Sequence, residues 1–177
     1  MTPQEQQSLF EHSNTVDVDV VVESDLWHHE DLRDVTLEHM TRTAVNTALD
    51  IIKDEIEDYP TQAQVCILFA DDEAIQKLNQ QWRGMNKPTN VLSFPSLSPV
   101  IDGEAVMLGD IILAFETIER EAKDEQKPLM HHVQHLVVHG FLHLLGYDHE
   151  TDDEAQEMEA AEICVLAKLG IDNPYEA

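Results

Sequence analysis

Three histidines carry the clearest chemistry in this chain: His139, His143 and His149. Residues four apart lie on one face of an α-helix, so His139 and His143 can present two imidazoles to one ion. Gly146 can adopt a left-handed backbone conformation, which lets the chain turn and bring His149 back as a third ligand. Three neutral nitrogen ligands from a short span are typical of a catalytic zinc site with an open coordination position. We therefore predict one Zn²⁺ per chain, with nickel or another divalent transition metal as the alternative.

The spacing of these histidines matches that of the metzincin peptidases, His-Glu-x-x-His-x-x-Gly-x-x-His, in which the glutamate is the general base. Gly140 occupies the position of that glutamate here, and it has no side chain that could move a proton. The ligand pattern is therefore metzincin-like, but the peptidase base is missing. The sequence predicts either a different hydrolytic reaction or a base supplied from elsewhere in the chain.

The elements that must position these histidines follow from hydrophobic periodicity. The alternation over 16–22 predicts a strand with one buried face, and short apolar runs predict further strands over 63–69, 90–94 and 106–114. Helical spacing predicts helices over 31–53, 115–125, 128–145 and 152–169. A further helix is predicted to begin at Asp71 or Asp72 and to carry Trp82 on its apolar face. The Ser-, Pro- and Gly-rich segment 96–104 is predicted to be a mobile flap. This order of elements indicates one α/β or α+β domain with a small sheet.

Composition narrows the class of protein further. A chain of 177 residues suits one domain, which we place at 15–177, after a polar, flexible tail at 1–14. No apolar run is long enough for a transmembrane helix, and the N-terminus does not resemble a secretory signal. Two cysteines without metal-binding spacing, read as buried free thiols, favour a reducing compartment, so we expect a cytoplasmic location. The net charge of −26 normally repels nucleic acid, so an anionic substrate would have to meet a local cationic spot.

Three segments resemble one known family. The run Leu78–Pro95, with the sequence LNQQWRGMNKPTNVLSFP, and the tetrapeptide Leu108-Gly-Asp-Ile111 resemble signatures of the YbeY family of bacterial metal-dependent endoribonucleases. The run His135–His149, HLVVHGFLHLLGYDH, resembles the zinc motif of that family at every position. The likeness extends over about residues 16–170. It implies an α+β fold in which a small mixed β-sheet is packed by helices around a metal-binding cleft.

The resemblance also implies an activity. Members cleave RNA with a preference for single strands, act in maturation of the 3′ end of small-subunit ribosomal RNA, and take part in ribosome quality control. The expected partners are therefore single-stranded or ribosomal RNA and the ribosome or its associated proteins, with no membrane and no DNA. The sequence leaves open whether the nucleophile is a water activated by the metal or the neighbouring 2′-hydroxyl.

Several residues are candidates for the site beside the ligands. Arg83 matches the catalytic arginine of the family, and its guanidinium can hold a phosphate through two parallel hydrogen bonds; the alternative is a surface arginine at a helix end. Lys87 and Ser93 are weaker candidates for substrate binding. Three further side chains are candidates for supporting the ligands, each with a purely structural alternative: Asp110, His135 and Asp148.

Two other functions stay open at this point. One is a zinc hydrolase of another class, such as a peptidase or amidase with a displaced base, which Gly140 disfavours. The other is a non-catalytic ribosome assembly factor in which the metal only orders the fold.

Overall fold

A computed structural model describes residues 15–32, 36–57 and 59–176. Four strands form one sheet in the order β1-β2-β4-β3. Their bounds are β1 Thr15–Val22, β2 Gln62–Ala70, β3 Val91–Pro95 and β4 Val106–Ala114. The β1–β2 and β2–β4 pairs are parallel, whereas β3 runs antiparallel to β4 and forms one edge of the sheet. The sheet is therefore mixed, as the resemblance implied.

Helices pack on both faces of this sheet and complete the predicted α+β fold. Their bounds are α1 Leu37–Ile52, α2 Asp72–Arg83, α3 Phe115–Asp124, α4 Leu129–Leu144 and α5 Asp152–Lys168. Asp71 caps α2 by accepting a hydrogen bond from the backbone amide of Ala74 at 2.9 Å. Helix α5 begins with a capping box at Thr151 and Glu154, which satisfies two amide donors reciprocally.

The strand alternation divides the apolar side chains between the two faces. Val16 and Val18 of β1 and Ile111 and Leu113 of β4 join the larger core, which α1, α4 and α5 cover. Leu92 of β3 and Ile112 of β4 point the other way, into a smaller core. There they meet Ile75 of α2. Helices α2 and α4 therefore lie on opposite faces of the sheet, with β3 and β4 between them.

The predicted helix over 31–53 begins too early. The structure has short 3₁₀ turns at Asp25–Trp27 and Glu30–Leu32, and α1 begins only after Thr36, whose side chain accepts a hydrogen bond from the amide of His39. Tertiary contacts explain the difference, since Leu32 of the second turn is buried in the larger core and Trp27 of the first is anchored to the sheet. Its ring packs edge-on against Phe69 and Phe115, and its indole N–H donates to the carbonyl of Ala70 at 2.7 Å. This segment thus folds onto the sheet instead of extending the helix.

Three side chains predicted to be buried are not. Trp82 is 66% exposed although its neighbours along the same helix face contact the sheet. Cys164 is exposed on α5, and Cys66 on β2 is half-buried. The segment 96–104 has no strand or helix and carries the exposed Leu97 and Val100. Its mobility stays a prediction.

The predicted tail at 1–14 lies outside the described residues. No described helix is long and apolar enough to cross a membrane.

Candidate metal centre

Helix α4 and the turn that follows it bring the three predicted ligands together. His139 and His143 lie one helical turn apart and are half-buried. Gly146 then adopts a φ of +97°, a conformation that favours glycine, and the amide of Tyr147 donates back to the carbonyl of Leu142 at 3.1 Å. This turn returns His149 toward the helix. One ligand atom from each of the three imidazoles lies within 4.8 Å of the other two.

Hydrogen bonds to the far side of two rings determine where their lone pairs point. Nδ1 of His139 donates to a carboxylate oxygen of Glu162, and Nδ1 of His143 donates to the carbonyl of Tyr147 at 2.9 Å. In the neutral rings, each Nε2 therefore carries a lone pair rather than a proton. Burial lowers the pKa of His143, and the neighbouring His139 and His149 lower it further, which favours the neutral form that ligates metal.

The two Nε2 atoms face each other at 3.1 Å. Two lone pairs at this distance repel unless a cation lies beside both of them. In a tetrahedral zinc site with bonds of about 2.0–2.1 Å, neighbouring nitrogens are about 3.3 Å apart, close to the separation seen here. The ring of His149 stands 5.0 Å from that of His143, between centroids. The three imidazoles are therefore suited to hold one transition-metal ion and to leave it an open position.

Glu162 is a residue of this site that sequence reasoning missed. It lies on α5 with a fully buried side chain. Burial alone would raise the pKa of Glu162, but hydrogen bonds from His135, His139 and Tyr175 more than offset it and lower the pKa from 4.5 to about 2. A buried carboxylate stays charged only when such donors compensate the loss of water. Glu162 is thus an anionic acceptor that fixes the tautomer and the orientation of a candidate ligand.

The donors around Glu162 come from two parts of the chain. His135 and His139 belong to α4, and Nε2 of His135 donates to the second carboxylate oxygen at 3.3 Å. The hydroxyl of Tyr175, in the segment after α5, donates to that same oxygen. His135 therefore shares a carboxylate with a candidate ligand but does not join the ligand cluster. Its predicted supporting role is consistent with this position.

A signal in the sequence could have revealed Glu162. On the amphipathic helix α5, the buried side chains Met158, Glu162, Val165 and Leu166 recur at helical spacing. A glutamate in the middle of an apolar stripe is rare unless it has a partner. The partner must come from another element, and two histidines on an adjacent apolar helix supply the matching donors.

The structure explains why residue 140 is a glycine, which the comparison with the metzincin spacing did not. A Cβ at this position would lie 2.8 Å from Cγ2 of Ile111 and 3.1 Å from Oγ of Ser93. Helix α4 approaches β3 and β4 so closely here that even a Cβ would force a neighbouring side chain to shift. The hydroxyl of Ser93 donates to the carbonyl of Gly140 at 3.2 Å and spans the same contact. The close packing therefore disfavours a glutamate base at this position.

This contact also changes the interpretation of Ser93. Its single hydroxyl proton is engaged by the backbone of α4, so the side chain cannot at the same time donate to a phosphate. The structure thus places Ser93 beside the site as a link between β3 and α4. The weaker prediction that it binds substrate is not supported.

The structure contradicts the predicted role of Asp110. This residue lies on β4 next to Ile111, whose side chain faces α4, so alternation directs Asp110 to the opposite face. There it is exposed and lies in a cross-strand row with Cys66 and Asp19, and burial together with these two carboxylates raises the pKa of the Cys66 thiol. Asp110 cannot support the histidines across the sheet.

Asp148 lies next to the third ligand but does not contact its ring in the described hydrogen bonds. Its carboxylate accepts from the backbone amide of His149 at 2.8 Å. It thereby shapes the turn that carries this ligand. A supporting role through the backbone is what the geometry favours.

The structure does not bring Arg83 into contact with the histidines. It is the last residue of α2 and is exposed, and no hydrogen bond or ion pair engages its guanidinium among the residues that the structure describes. Helix α2 lies across β3 from α4, so Arg83 lies on the side of the edge strand opposite to the histidines. Lys87 is exposed in the loop after α2. Both side chains are available to an anion.

Comparisons with known proteins agree on one family. The model of the family described as Endoribonuclease YbeY matches residues 27–170. A protein named Endoribonuclease YbeY from Bradyrhizobium diazoefficiens is 47% identical over 168 residues, which are 93% of this chain and 87% of that protein. The protein of the same name from Allorhizobium ampelinum is 45% identical over 163 residues, covering 90% of this chain and 95% of the relative. The solution structure of TM1509 from Thermotoga maritima matches 91% of this chain and all of its own with a TM-score of 0.53 at 22% identity, a likeness of fold.

The close approach at Gly140 predicts a steric cost for the smallest side chain. Alanine favours a helix over glycine by about 1 kcal/mol, but overpacking typically costs about 1–3 kcal/mol. We therefore expect Gly140→Ala to lower the free energy of unfolding in urea. In an Ile111→Ala background the clashing methyl is absent, so the added cost of Gly140→Ala should vanish. An equal cost in both backgrounds would contradict the steric explanation.

The hydrogen bond between His139 and Glu162 predicts an effect on metal affinity. Removing such a partner of a ligand typically weakens metal binding about 10- to 100-fold. We expect Glu162→Gln, which keeps the shape but loses the charge, and Glu162→Ala to weaken Zn²⁺ binding in competition with a chromophoric chelator. Glu159→Gln, an exposed carboxylate on the same helix, is the matched control. Unchanged affinity in both Glu162 variants would show that this carboxylate does not support the ligand.

Proposed function

The chain belongs to the YbeY family of endoribonucleases, as its motifs led us to expect, and on this premise we propose that it is a zinc-dependent endoribonuclease that cleaves single-stranded RNA. The observation that carries the proposal is the pair of facing Nε2 atoms of His139 and His143, with His149 beside them. The biological substrate that we propose is ribosomal RNA near the 3′ end of the small-subunit RNA. The role includes ribosome quality control in the cytoplasm, with the ribosome or its proteins as partners.

The chemistry of the site suits a phosphodiester. Its cleavage builds negative charge on the phosphate oxygens, so the site must supply cations. When bound, the metal supplies Lewis acidity beside the phosphate. Glu162 and the carbonyl of Tyr147 hold the rings of His139 and His143 with their lone pairs toward it. The Arg83 guanidinium adds a fixed positive charge with a planar pair of donors that matches two phosphate oxygens.

The geometry disfavours a peptidase. The metzincin reaction needs a carboxylate base at the position of Gly140, and Ile111 and Ser93 fill the space that its side chain would need. A phosphate ester whose attacking hydroxyl belongs to the neighbouring ribose does not depend on a glutamate at this position. Gly140 thus supports RNA as the substrate more than a peptide.

Loss of a ligand or of the arginine predicts loss of RNA cleavage. We expect His143→Ala to abolish cleavage of a single-stranded RNA by Zn²⁺-loaded protein, and Arg83→Glu to lower kcat by about 10²–10³-fold, the usual effect of removing one charge-stabilising donor. Arg120→Glu is the matched control, because it makes the same change of charge on the exposed surface of α3. A casein panel is assayed alongside the RNA.

Three results would contradict the proposal. Proteolysis of casein without cleavage of RNA would assign a peptidase or amidase. RNA binding without cleavage by the metal-loaded wild type would favour an assembly factor. Full activity of Arg83→Glu would remove the arginine from the reaction.

The acidic surface predicts a shallow dependence of RNA binding on salt. With 10 basic against 36 acidic residues, a local cationic spot can neutralise only a few phosphates. Two to four phosphate contacts on a single strand give a slope of log K against log salt of about −1.4 to −2.8. Fluorescence anisotropy of a labelled RNA across a salt series measures this slope. A slope steeper than about −5 would mean that a larger basic surface or a partner carries the binding.

A further inference from the structure

Trp82 is the most exposed tryptophan of the chain and lies beside the proposed catalytic arginine. Its side chain is 66% exposed, whereas the other tryptophan, Trp27, is 2% exposed and donates its indole N–H to the backbone. An indole ring left in water has an apolar area that folding did not bury, and aromatic rings exposed beside cations are a feature of sites that bind single-stranded nucleic acid. This combination indicates a ligand with a flat apolar face and a negative charge.

The ring of Trp82 is supported by an aromatic residue of the sheet. Its centroid lies 6.2 Å from that of Phe94 on β3, with the planes tilted by 58°. Phe94 is itself anchored, since it packs against the small core formed by Ile75, Leu92 and Ile112. This contact limits the freedom of the indole, while most of the side chain stays open to solvent. A stacking surface that is ordered before binding loses less entropy when a base lies on it.

Hydrogen bonds in the loop that follows α2 hold the backbone that carries the cations near Trp82. Gly84 ends the helix with a φ of +69°. The buried Asn79 then donates from its side-chain amide nitrogen to the carbonyl of Lys87 at 2.8 Å, and its backbone carbonyl accepts from the amide of Met85 at 3.3 Å. The loop is therefore folded back along α2. Lys87 returns toward the end of the helix that carries Trp82 and Arg83.

The edge strand β3 connects this surface to the histidines. Ser93 faces α4 and contacts Gly140, next to the ligand His139. Phe94, the next residue, faces α2 and contacts Trp82. Since β3 is an edge strand with no further strand beside it in the described sheet, an extended chain lying across that edge can touch both sides. The two surfaces therefore lie on opposite faces of the same strand.

We propose that Trp82, supported by Phe94, is a stacking platform for one base of a single-stranded RNA that crosses the edge of β3, with Arg83 and Lys87 contacting the phosphates beside that base. The inference rests on the proposed function, because the occupant is its substrate. A stacked base gives affinity without selecting a sequence, since every base has a π face. It also prefers single strands, because the bases of a duplex are already stacked on each other.

The test separates stacking from charge. Binding of an oligoadenylate decamer and of an abasic ribose-phosphate decamer to metal-free protein is measured for the wild type, Trp82→Phe and Trp82→Leu. The wild type should prefer the oligoadenylate, and Trp82→Leu should bind it about 5- to 150-fold more weakly, the range for losing one base–aromatic stack. Trp82→Phe should keep most of the affinity. The abasic decamer should bind all three proteins alike.

Tryptophan fluorescence gives a second readout that does not depend on cleavage. Because Trp27 is buried, acrylamide quenches mainly Trp82, and bound oligoadenylate should protect this accessible fraction. Leu26→Ala, which removes another exposed apolar side chain, is the control. Thermal melting and Zn²⁺ content of each variant establish that the fold and the metal centre are intact.

Distinct results overturn this inference and the proposed function. If the wild type cleaves RNA while Trp82→Leu binds oligoadenylate with unchanged affinity, or RNA does not protect the accessible fluorescence, the stacking platform is wrong and the nuclease assignment stands. If the wild type self-associates and Trp82→Leu abolishes the association without weakening RNA binding, the surface is a protein interface and the inference is also wrong. If the metal-loaded wild type neither binds nor cleaves RNA, both fail.

Discussion

The buried carboxylate of Glu162 is the interaction on which the candidate metal centre depends. A charge without access to water requires several donors, and here they come from two histidines of α4 and from Tyr175 near the end of the chain. The hydrogen bonds to this carboxylate therefore connect α4, α5 and the segment after α5. It also determines the tautomer of His139, and through it the direction of the lone pair that faces His143. The ligand geometry is therefore a consequence of helix packing more than of the histidine motif alone.

A second constraint is the close contact of α4 with the sheet at Gly140. The missing side chain allows the helix backbone to approach β3, where Ser93 donates to it. This contact sets the distance between the histidines and the free edge of the sheet, and it removes the space that a peptidase base would need. One residue thus links the packing of the fold to the kind of reaction that the site can support.

The sequence predicted the parts of the site that depend on local spacing. His139, His143 and His149 come together because a helical turn and a glycine turn are properties of the chain itself. Glu162 could not be paired with His139 from spacing, since their contact depends on how α4 and α5 pack. The sequence could not exclude Asp110 as a support for the ligands, because alternation along a strand gives the relative orientation of its residues but not the face on which each helix lies. The start of α1 was wrong for a similar reason, as the contacts of Trp27 override helical periodicity.

The central claim is that three imidazoles hold one metal ion in an open site, and the zinc-edge X-ray absorption spectrum of the Zn²⁺-loaded protein tests it most directly. The account predicts one zinc per chain with three imidazole nitrogens at about 2.0–2.1 Å, no sulfur ligand, and one imidazole fewer in His149→Ala. Zinc bound through a thiolate, or by fewer than three imidazoles in the wild type, would contradict it.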